Sequence, residues 1–526
     1  MLTVETEDLL DRIRVAPRGA RIAAFFDFDG TIIQGYSAAL LYEQRYRRLE
    51  VGLGETLRLL QFTQGDPTEE QFEELTTEAI RGWAGRPESF LDDLATQLYR
   101  GGIAKALFHE AWRLIKAHQR RGHTVVIASS ATTVQIAALA RDLGVTDVLC
   151  TQVETVNGRV TGRLAGRTLW GPGKEAAVRE FAEQRGIDLA RSHAYGNGDE
   201  DVAYLSTAGH PVAVNPQPQL REHAQRHTWP VVEFERSPGR FDLVSQLRWA
   251  GMWAALASAG TTGVAMSLLS RDRWRGINLT ISAFTHLAAA LADVTVHVVD
   301  GEEHLWSHRP AVFLINHQSD FMDLLVGAIL LRENVTALAK KEVSTMPILG
   351  PIVNYAQFAL VDRGDPAQAR EALSHAVARI QQGISVVVAP EGTRSNSPSV
   401  RHFKKGAFHL AQQAGVPIIP IVIRNSGQLM SPASRSVRPG TVEVLVHPPI
   451  PTDGWTKDDV DRTAEQIHQF YVDTLEAWPG PGPAAYVGQR KKTGRTRARS
   501  GATSAPHPGP APRAARTAPH PDPEGQ

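Results

Sequence analysis

The sequence predicts an α/β protein in two parts: an N-terminal doubly wound, Rossmann-like domain with a helical cap, and a C-terminal α/β domain. Three observations predict it. Short apolar runs alternate with helix-forming segments over residues 21 to about 230, and the alternation resumes from 300 to about 477. Such alternation implies parallel strands joined by crossover helices. Residues 35 to about 118, between the first two strands, are rich in Leu, Glu, Gln, Arg and Ala and poor in strand signals, which marks an inserted cap.

In chain order, Ala23–Phe26, Thr124–Ala128, Val145–Leu149, His193–Tyr195 and Pro211–Val214 are the expected buried strands of a first domain, 20–227. Gln135–Ala140 and Glu175–Glu183 have helical character. Residues 228–299 read as an apolar, membrane-associating connector. Within it, Trp249 to Ser270 holds no charged residue and is flanked by Arg248, Arg271, Arg273 and Arg275. That length suffices for a bilayer span, but Ala, Gly, Ser and Thr outweigh Leu, Ile and Val. A monotopic hairpin or interfacial helix, with Trp249, Trp253 and Trp274 at headgroup level, is the better expectation. A second domain, 300–477, has strand candidates at Ala311–Ile315, Thr336–Ala339, Ser385–Ala389, Ile418–Ile423 and Val442–Val446, with a helix at Pro366–Gln381. Residues 478–526 turn to Pro, Gly, Ala, Ser and Thr, with Arg490, Lys491, Lys492, Arg495, Arg497 and Arg499 clustered. This tail is too poor in apolar residues to order itself, and its basic cluster suits anionic lipid.

Composition narrows the function classes. Lys+Arg and Asp+Glu number 56 each, so no global field favours nucleic acid. The single Cys150 excludes an intramolecular disulfide and fits a reducing compartment. The first twenty residues carry several acids and no apolar run, so no secretory leader is expected there.

The first candidate site closes the first strand, at Phe26-Asp27-Phe28-Asp29-Gly30-Thr31. Open α/β sheets place their sites at the carboxyl ends of strands. Asp27 and Asp29 concentrate negative charge there, and a divalent cation with a taste for oxygen, magnesium above all, relieves it. Asp27 suits nucleophilic attack on phosphorus, and Asp29 suits protonation of the leaving alcohol and later activation of water. The run resembles the first motif of the haloacid-dehalogenase superfamily, phosphoserine phosphatase-like members in particular, over residues 20 to 225. That resemblance implies that Thr31, Ser129 and Lys174 bind or balance the phosphoryl group. It also implies that Asp27, Asp29, Asn197 and Asp201 hold Mg2+, the last two within Gly196-Asn197-Gly198-Asp199-Glu200-Asp201. Asn197 stands where this family usually has an acid, and Asp201 or Asp199 is expected to compensate.

The second candidate site follows the strand at 311–315, as Asn316-His317-Gln318-Ser319. A histidine titrates near neutrality and suits a general base, and a nearby carboxylate fixes its tautomer. Asp320 and Asp323 are both within reach; Asp323 is favoured because it opens the helical run Leu324–Leu331, with a one-residue bulge to restore its reach. Lys340 and Lys341, Arg363 and Arg394 supply cations that match a phosphate. The set resembles the glycerophospholipid acyltransferases, 1-acylglycerol-3-phosphate acyltransferases in particular, over about 285 to 475. The matching runs are Asn316–Ser319, Phe358–Arg363, Pro390–Ser395 with Phe403–Gly406, and Val416–Pro420. The resemblance implies His317 as base and Lys340, Arg363, Glu391, Gly392, Thr393 and Arg394 as substrate-binding residues. It further implies acyl-CoA or acyl carrier protein as donor, and lysophosphatidic acid or a related lysolipid as acceptor. A fusion of the two enzymes, peripheral or monotopic at the cytoplasmic face of a cell membrane, is the expectation the order of domains supports.

Overall fold

A computed structural model describes residues 4–48, 50–52, 54–56, 58–59, 68–234, 243–347, 349–362, 366–392, 397–430 and 436–479, without the side chains of 320, 366, 367, 369 and 370. The basic tail from 480 onward, Arg363, Thr393 and Arg394 lie outside the described residues.

The first sheet contains β1 (Ala23–Phe26), β2 (Thr124–Thr132), β3 (Asp147–Thr151), β6 (His193–Gly196), β7 (His210–Val214) and β8 (Val231–Val232), in the order β3-β2-β1-β6-β7-β8. Every neighbouring pair is parallel. Strands covered on both faces read as continuous apolar runs. Phe25 and Phe26 on β1 are accordingly fully buried, on opposite sides of the sheet, in two separate clusters. Burying one such ring contributes about 1.5–3 kcal/mol. The chain order reverses beside β1, between β2 and β6, which is where such sheets place a site.

The cap comprises helices Ser37–Arg47, Glu69–Arg81 and Ser89–Leu98, with short turns to Ala106. The expected cap limit near 118 is too long. His109–Arg120 is the crossover helix that packs on β2, burying Ala111, Trp112, Leu114 and Ile115. An unforeseen hairpin, β4 (Val153–Val156) with β5 (Arg159–Leu164), completes the cap, since Gly85 N–H donates to Val160 O and Val160 N–H to Arg86 O. The expected strand at 145–149 begins two residues later.

The second sheet contains β9 (Val294–Asp300), β10 (Val312–Ile315), β11 (Val335–Lys340), β12 (Ala359–Val361), β13 (Ser385–Val388), β14 (Ile418–Ile423) and β15 (Gly440–Val446), ordered β12-β11-β13-β10-β14-β15-β9. Only β14 and β15 pair antiparallel. The segment read as a connector is not all connector: Val231–Val232 extends the first sheet and β9 forms an edge of the second. Between them, helices Leu243–Ser270 and Arg273–Ala292 make a hairpin. A Cβ added at Gly263 would sit 2.5 Å from Gly276 O, and one at Gly276 2.2 Å from Gly263 O, so only glycine permits this close backbone contact. Leu268 and Leu269 near the turn are 76% and 82% exposed.

The two halves touch directly. Trp112 Nε1 donates to Ser399 Oγ at 3.3 Å, and Arg120 pairs with Glu476 at 3.1 Å on the C-terminal helix Lys457–Glu476.

Candidate active sites

Strand register sets out the first site. Phe26 pairs with Ile127 and with Tyr195, so Asp27 just after β1, Ser129 on β2 and Asn197 just after β6 lie toward the same carboxyl end of the sheet. Asp27 and Lys174 are buried, and Lys174 Nζ donates to Asp27 Oδ1 at 2.8 Å and to Asp201 Oδ1 at 2.6 Å. Burial raises the Asp27 carboxyl and the Lys174 ammonium opposes that rise. Burial also disfavours the charged lysine, but Asp201 and then Asp27 outweigh it and hold the ammonium protonated. Asp29 receives Ser37 N–H at 2.7 Å and Ser37 Oγ at 3.0 Å, and Gln135 Nε2 in turn holds Ser37 Oγ at 2.8 Å. Burial pushes the Asp29 carboxyl up to about 6, against those bonds, into the range for proton exchange near neutrality. Ser37 and Gln135 were not foreseen, for nothing in their spacing distinguishes them.

Asn197 occupies the turn over Gly30. Gly30 has φ +79, and an added Cβ would lie 2.2 Å from Asn197 Nδ2, so both the turn and the contact require glycine. Thr31 Oγ1 is 3.4 Å from Asn197 Oδ1, and Ser129 Oγ accepts Ala131 N–H at 3.2 Å. Asp201, expected as a metal ligand, instead engages both oxygens: Oδ1 with Lys174, Oδ2 with the N–H groups of Asn197 and Gly198. Asp199 does not compensate either, because its carboxylate caps a helix through Leu220 N–H at 2.7 Å. The remaining donors still fit a hard cation. Asp27 Oδ2, which no hydrogen-bond donor among the described residues reaches, and the amide oxygen of Asn197 suit such an ion, whereas both Asp29 oxygens are engaged by Ser37, as those of Asp201 are by Lys174 and backbone.

The second site sits at the carboxyl edge of β10, between β13 and β14. Asn316 locks its start, accepting Ile423 N–H and donating to Ile423 O, both at 2.7 Å. His317 Nδ1 lies 2.8 Å from Asp323 Oδ2. That same oxygen accepts Gln318 N–H at 2.9 Å and Ser319 N–H at 2.8 Å, while Ser426 Oγ donates to Oδ1. Asp323 thus places a carboxylate on the imidazole, and the side chain of Asp320, the alternative, lies outside the described residues. The helix starts at Asp320, earlier than expected, and helical side chains lean back toward the N-terminus. Asp323 in the first turn thus reaches the loop with no bulge.

Glu391 was expected to touch substrate. Both its oxygens are instead taken by backbone, Oε1 by His317 N–H at 2.7 Å and Oε2 by Arg401 N–H at 3.0 Å. Burial pushes it up to about 7, against those two bonds. It positions the histidine strand end against the turn after β13. Gly392 there has φ +70, and an added Cβ would meet Lys404 Cδ at 2.9 Å, so the Lys404 side chain, unforeseen as a site cation, lies across this turn. Lys340 ends β11, exposed, on the same edge two strands from β10. Lys341 turns to Gln368 at 2.9 Å and Asp362 at 3.5 Å. Gln318 Nε2 and Ser319 Oγ are buried beside His317 with no hydrogen-bond partner among the described residues.

Two polar centres, each at the carboxyl ends of parallel strands in its own sheet, define a two-domain α/β enzyme. Residues 24–206 match the haloacid dehalogenase-like hydrolase family, and residues 296–424 match the acyltransferase family. The chain is 33% identical over 248 residues to a 1-acyl-sn-glycerol-3-phosphate acyltransferase of Saccharomyces cerevisiae, covering 45% of this chain and 79% of that one. It is 37% identical over 212 residues to an uncharacterized acyltransferase of Schizosaccharomyces pombe, covering 39% and 75%. It is 32% identical over 252 residues to the phosphoserine phosphatase SerB1 of Mycobacterium tuberculosis, covering 47% and 82%. The chain belongs to the haloacid dehalogenase-like hydrolases through its N-terminal half and to the glycerolipid acyltransferases through its C-terminal half.

Proposed function

We propose that this is a bifunctional enzyme that acylates 1-acylglycerol-3-phosphate to phosphatidic acid and hydrolyses a phosphomonoester. The His317–Asp323 dyad, braced by Glu391, carries the first part. With Nδ1–H donated to Asp323, Nε2 takes the proton of the acceptor hydroxyl as its oxygen attacks the thioester carbonyl of acyl-CoA or acyl carrier protein. The imidazolium then protonates the departing thiolate. Lys340, Arg363 and Arg394 hold the acceptor phosphate, and Gln318 Nε2 and Ser319 Oγ offer donors to the bound substrates. Incubation of purified protein with labelled acyl donor and a panel of lysolipids tests this; no transfer to lysophosphatidic acid, or preference for an acceptor without phosphate, refutes the assignment.

In the other half, Asp27 attacks phosphorus while Asp29 protonates the departing alkoxide. Asp29 then takes a proton from the water that cleaves the aspartyl-phosphate, which releases phosphate and restores Asp27. Asp27 and Asn197, with Asp29 beside them, would hold Mg2+, which would neutralise charge on the phosphoryl oxygens. An amide is a weaker ligand than a carboxylate, so Asn197→Asp is expected to lower the magnesium needed for half-maximal aryl-phosphate hydrolysis several-fold. An unchanged requirement removes Asn197 from the ligand set. The same amide favours a second reading, in which this half is a weakly active or regulatory module.

The helical hairpin 243–292 docks the enzyme on the cytoplasmic face of a membrane, where a lysolipid is met. Exposed Leu268 and Leu269 beside Arg271, Arg273 and Arg275 are the observation behind this. Transfer of leucine from water to lipid contributes about 1.5–3 kcal/mol at full burial, so Leu268→Ser with Leu269→Ser should weaken liposome binding roughly tenfold or more. Equal sedimentation of both proteins with anionic liposomes rules the hairpin out as the anchor.

A further inference from the structure

The first sheet has a second polar cluster, at the end where its strands begin, opposite Asp27. His123 immediately precedes β2, His193 opens β6 beside Ala24, and His118 lies on the crossover helix before β2. All three are buried, and each offers a ring nitrogen within 4.8 Å of the others. Neither catalytic centre uses them.

We propose that His118, His123 and His193 form a binding site for a divalent transition metal of the zinc class. Imidazole nitrogens suit such ions, whereas magnesium prefers oxygen. Zn–N bonds of about 2.0–2.1 Å set ligand nitrogens about 3.3 Å apart in a tetrahedral shell. His118 Nδ1 and His123 Nδ1 face each other at 2.9 Å, so a small opening admits an ion between them. The outer partners are in place. His123 Nε2 lies 2.7 Å from Pro17 O and His118 Nε2 2.9 Å from Tyr195 Oη. Metal-bound histidines commonly donate their other ring N–H to a carbonyl or similar group, which fixes the tautomer. Without metal, the chain reads Tyr195 O–H to His118, His118 Nδ1–H to His123, and His123 Nε2–H to Pro17 O. Moving the His118 proton from Nδ1 to Nε2 exposes both Nδ1 lone pairs and releases no proton. Burial lowers all three imidazoles and keeps them neutral, the form that binds metal. His193 turns inward to supply the third nitrogen. Its outer face stacks on exposed His210 at 4.8 Å between centroids, which marks the solvent side and the entry path. A bound ion ties residue 17 to β2 and β6, and so acts as a structural clamp on the phosphatase half.

Untagged full-length protein, stripped with EDTA, is to be titrated with Zn2+ against a chromogenic chelator and followed by thermal melting. One equivalent bound, with a rise in Tm, is expected. Asp27→Asn, which disables the oxygen site, keeps that equivalent; His123→Gln with His193→Gln weakens it by roughly tenfold or more. Absence of binding, or equal stoichiometry and affinity in the double variant, overturns the proposal and leaves His118 and His123 as a hydrogen-bonded pair with His193 packed against them. X-ray absorption on zinc-loaded wild type gives a readout independent of the variants' folding. Three imidazole scatterers support the site, and a shell of oxygens alone overturns it.

Discussion

His317→Ala should lower acyl transfer by roughly 10²–10⁴-fold, the usual contribution of a positioned general base, while hydrolysis at the other site continues. The imidazole sits on a frame that does not depend on its own side chain. Asn316 is bonded to β14, and the backbone N–H of residue 317 is bonded to Glu391. Removal of the ring therefore leaves the strand end in place and the loss falls on turnover. Asp323→Asn should also lower kcat, with KM little changed, because the amide cannot stabilise the imidazolium as a carboxylate does. Asn at 323 must also replace an acceptor of two loop N–H groups, so part of the loss reflects a displaced loop. Asp320→Asn is the control and should leave the rate near wild type. A His317→Ala protein that keeps more than a tenth of the activity, or an Asp320→Asn protein as impaired as Asp323→Asn, removes the dyad from the mechanism.

What could be read beforehand follows from locality. Strand β1 and the acids after it are contiguous, as are β10 and His317, so apolar runs ending in polar residues located both sheet edges. The partners that hold those residues come from far along the chain. Ser426 lies 103 residues from Asp323, and Gln135 lies 98 residues from Ser37, distances over which no spacing rule operates. Glu391 was placed with the substrate-binding residues because it lies inside a motif. Only the fold shows its two oxygens absorbed by backbone N–H groups. Strand β9 was legible and overlooked: Val294, Val296 and Val298 alternate with polar residues, the pattern of a half-buried edge strand. The crossover helix 109–120 was merged with the cap since both are helical, and only its packing on β2 separates them.

Asp27→Asn should abolish magnesium-dependent hydrolysis of an aryl phosphate and leave acyl transfer intact. An amide is not a nucleophile toward phosphorus under these conditions, so the loss is one of mechanism rather than of affinity. The fold should survive the change. Lys174 keeps Asp201 at 2.6 Å, and the new amide oxygen can still accept its hydrogen bond, so no buried ammonium is stranded. Thermal melting alongside the assay checks this. Phosphate trapped on the wild type during turnover and absent from Asp27→Asn would locate the covalent step at that carboxylate. Hydrolysis that persists in Asp27→Asn means another nucleophile. If neither the wild type nor Asn197→Asp hydrolyses an aryl phosphate, the N-terminal half is a module. Its contacts to the second half, through Trp112 and Ser399 and through Arg120 and Glu476, then become its reason for being fused there.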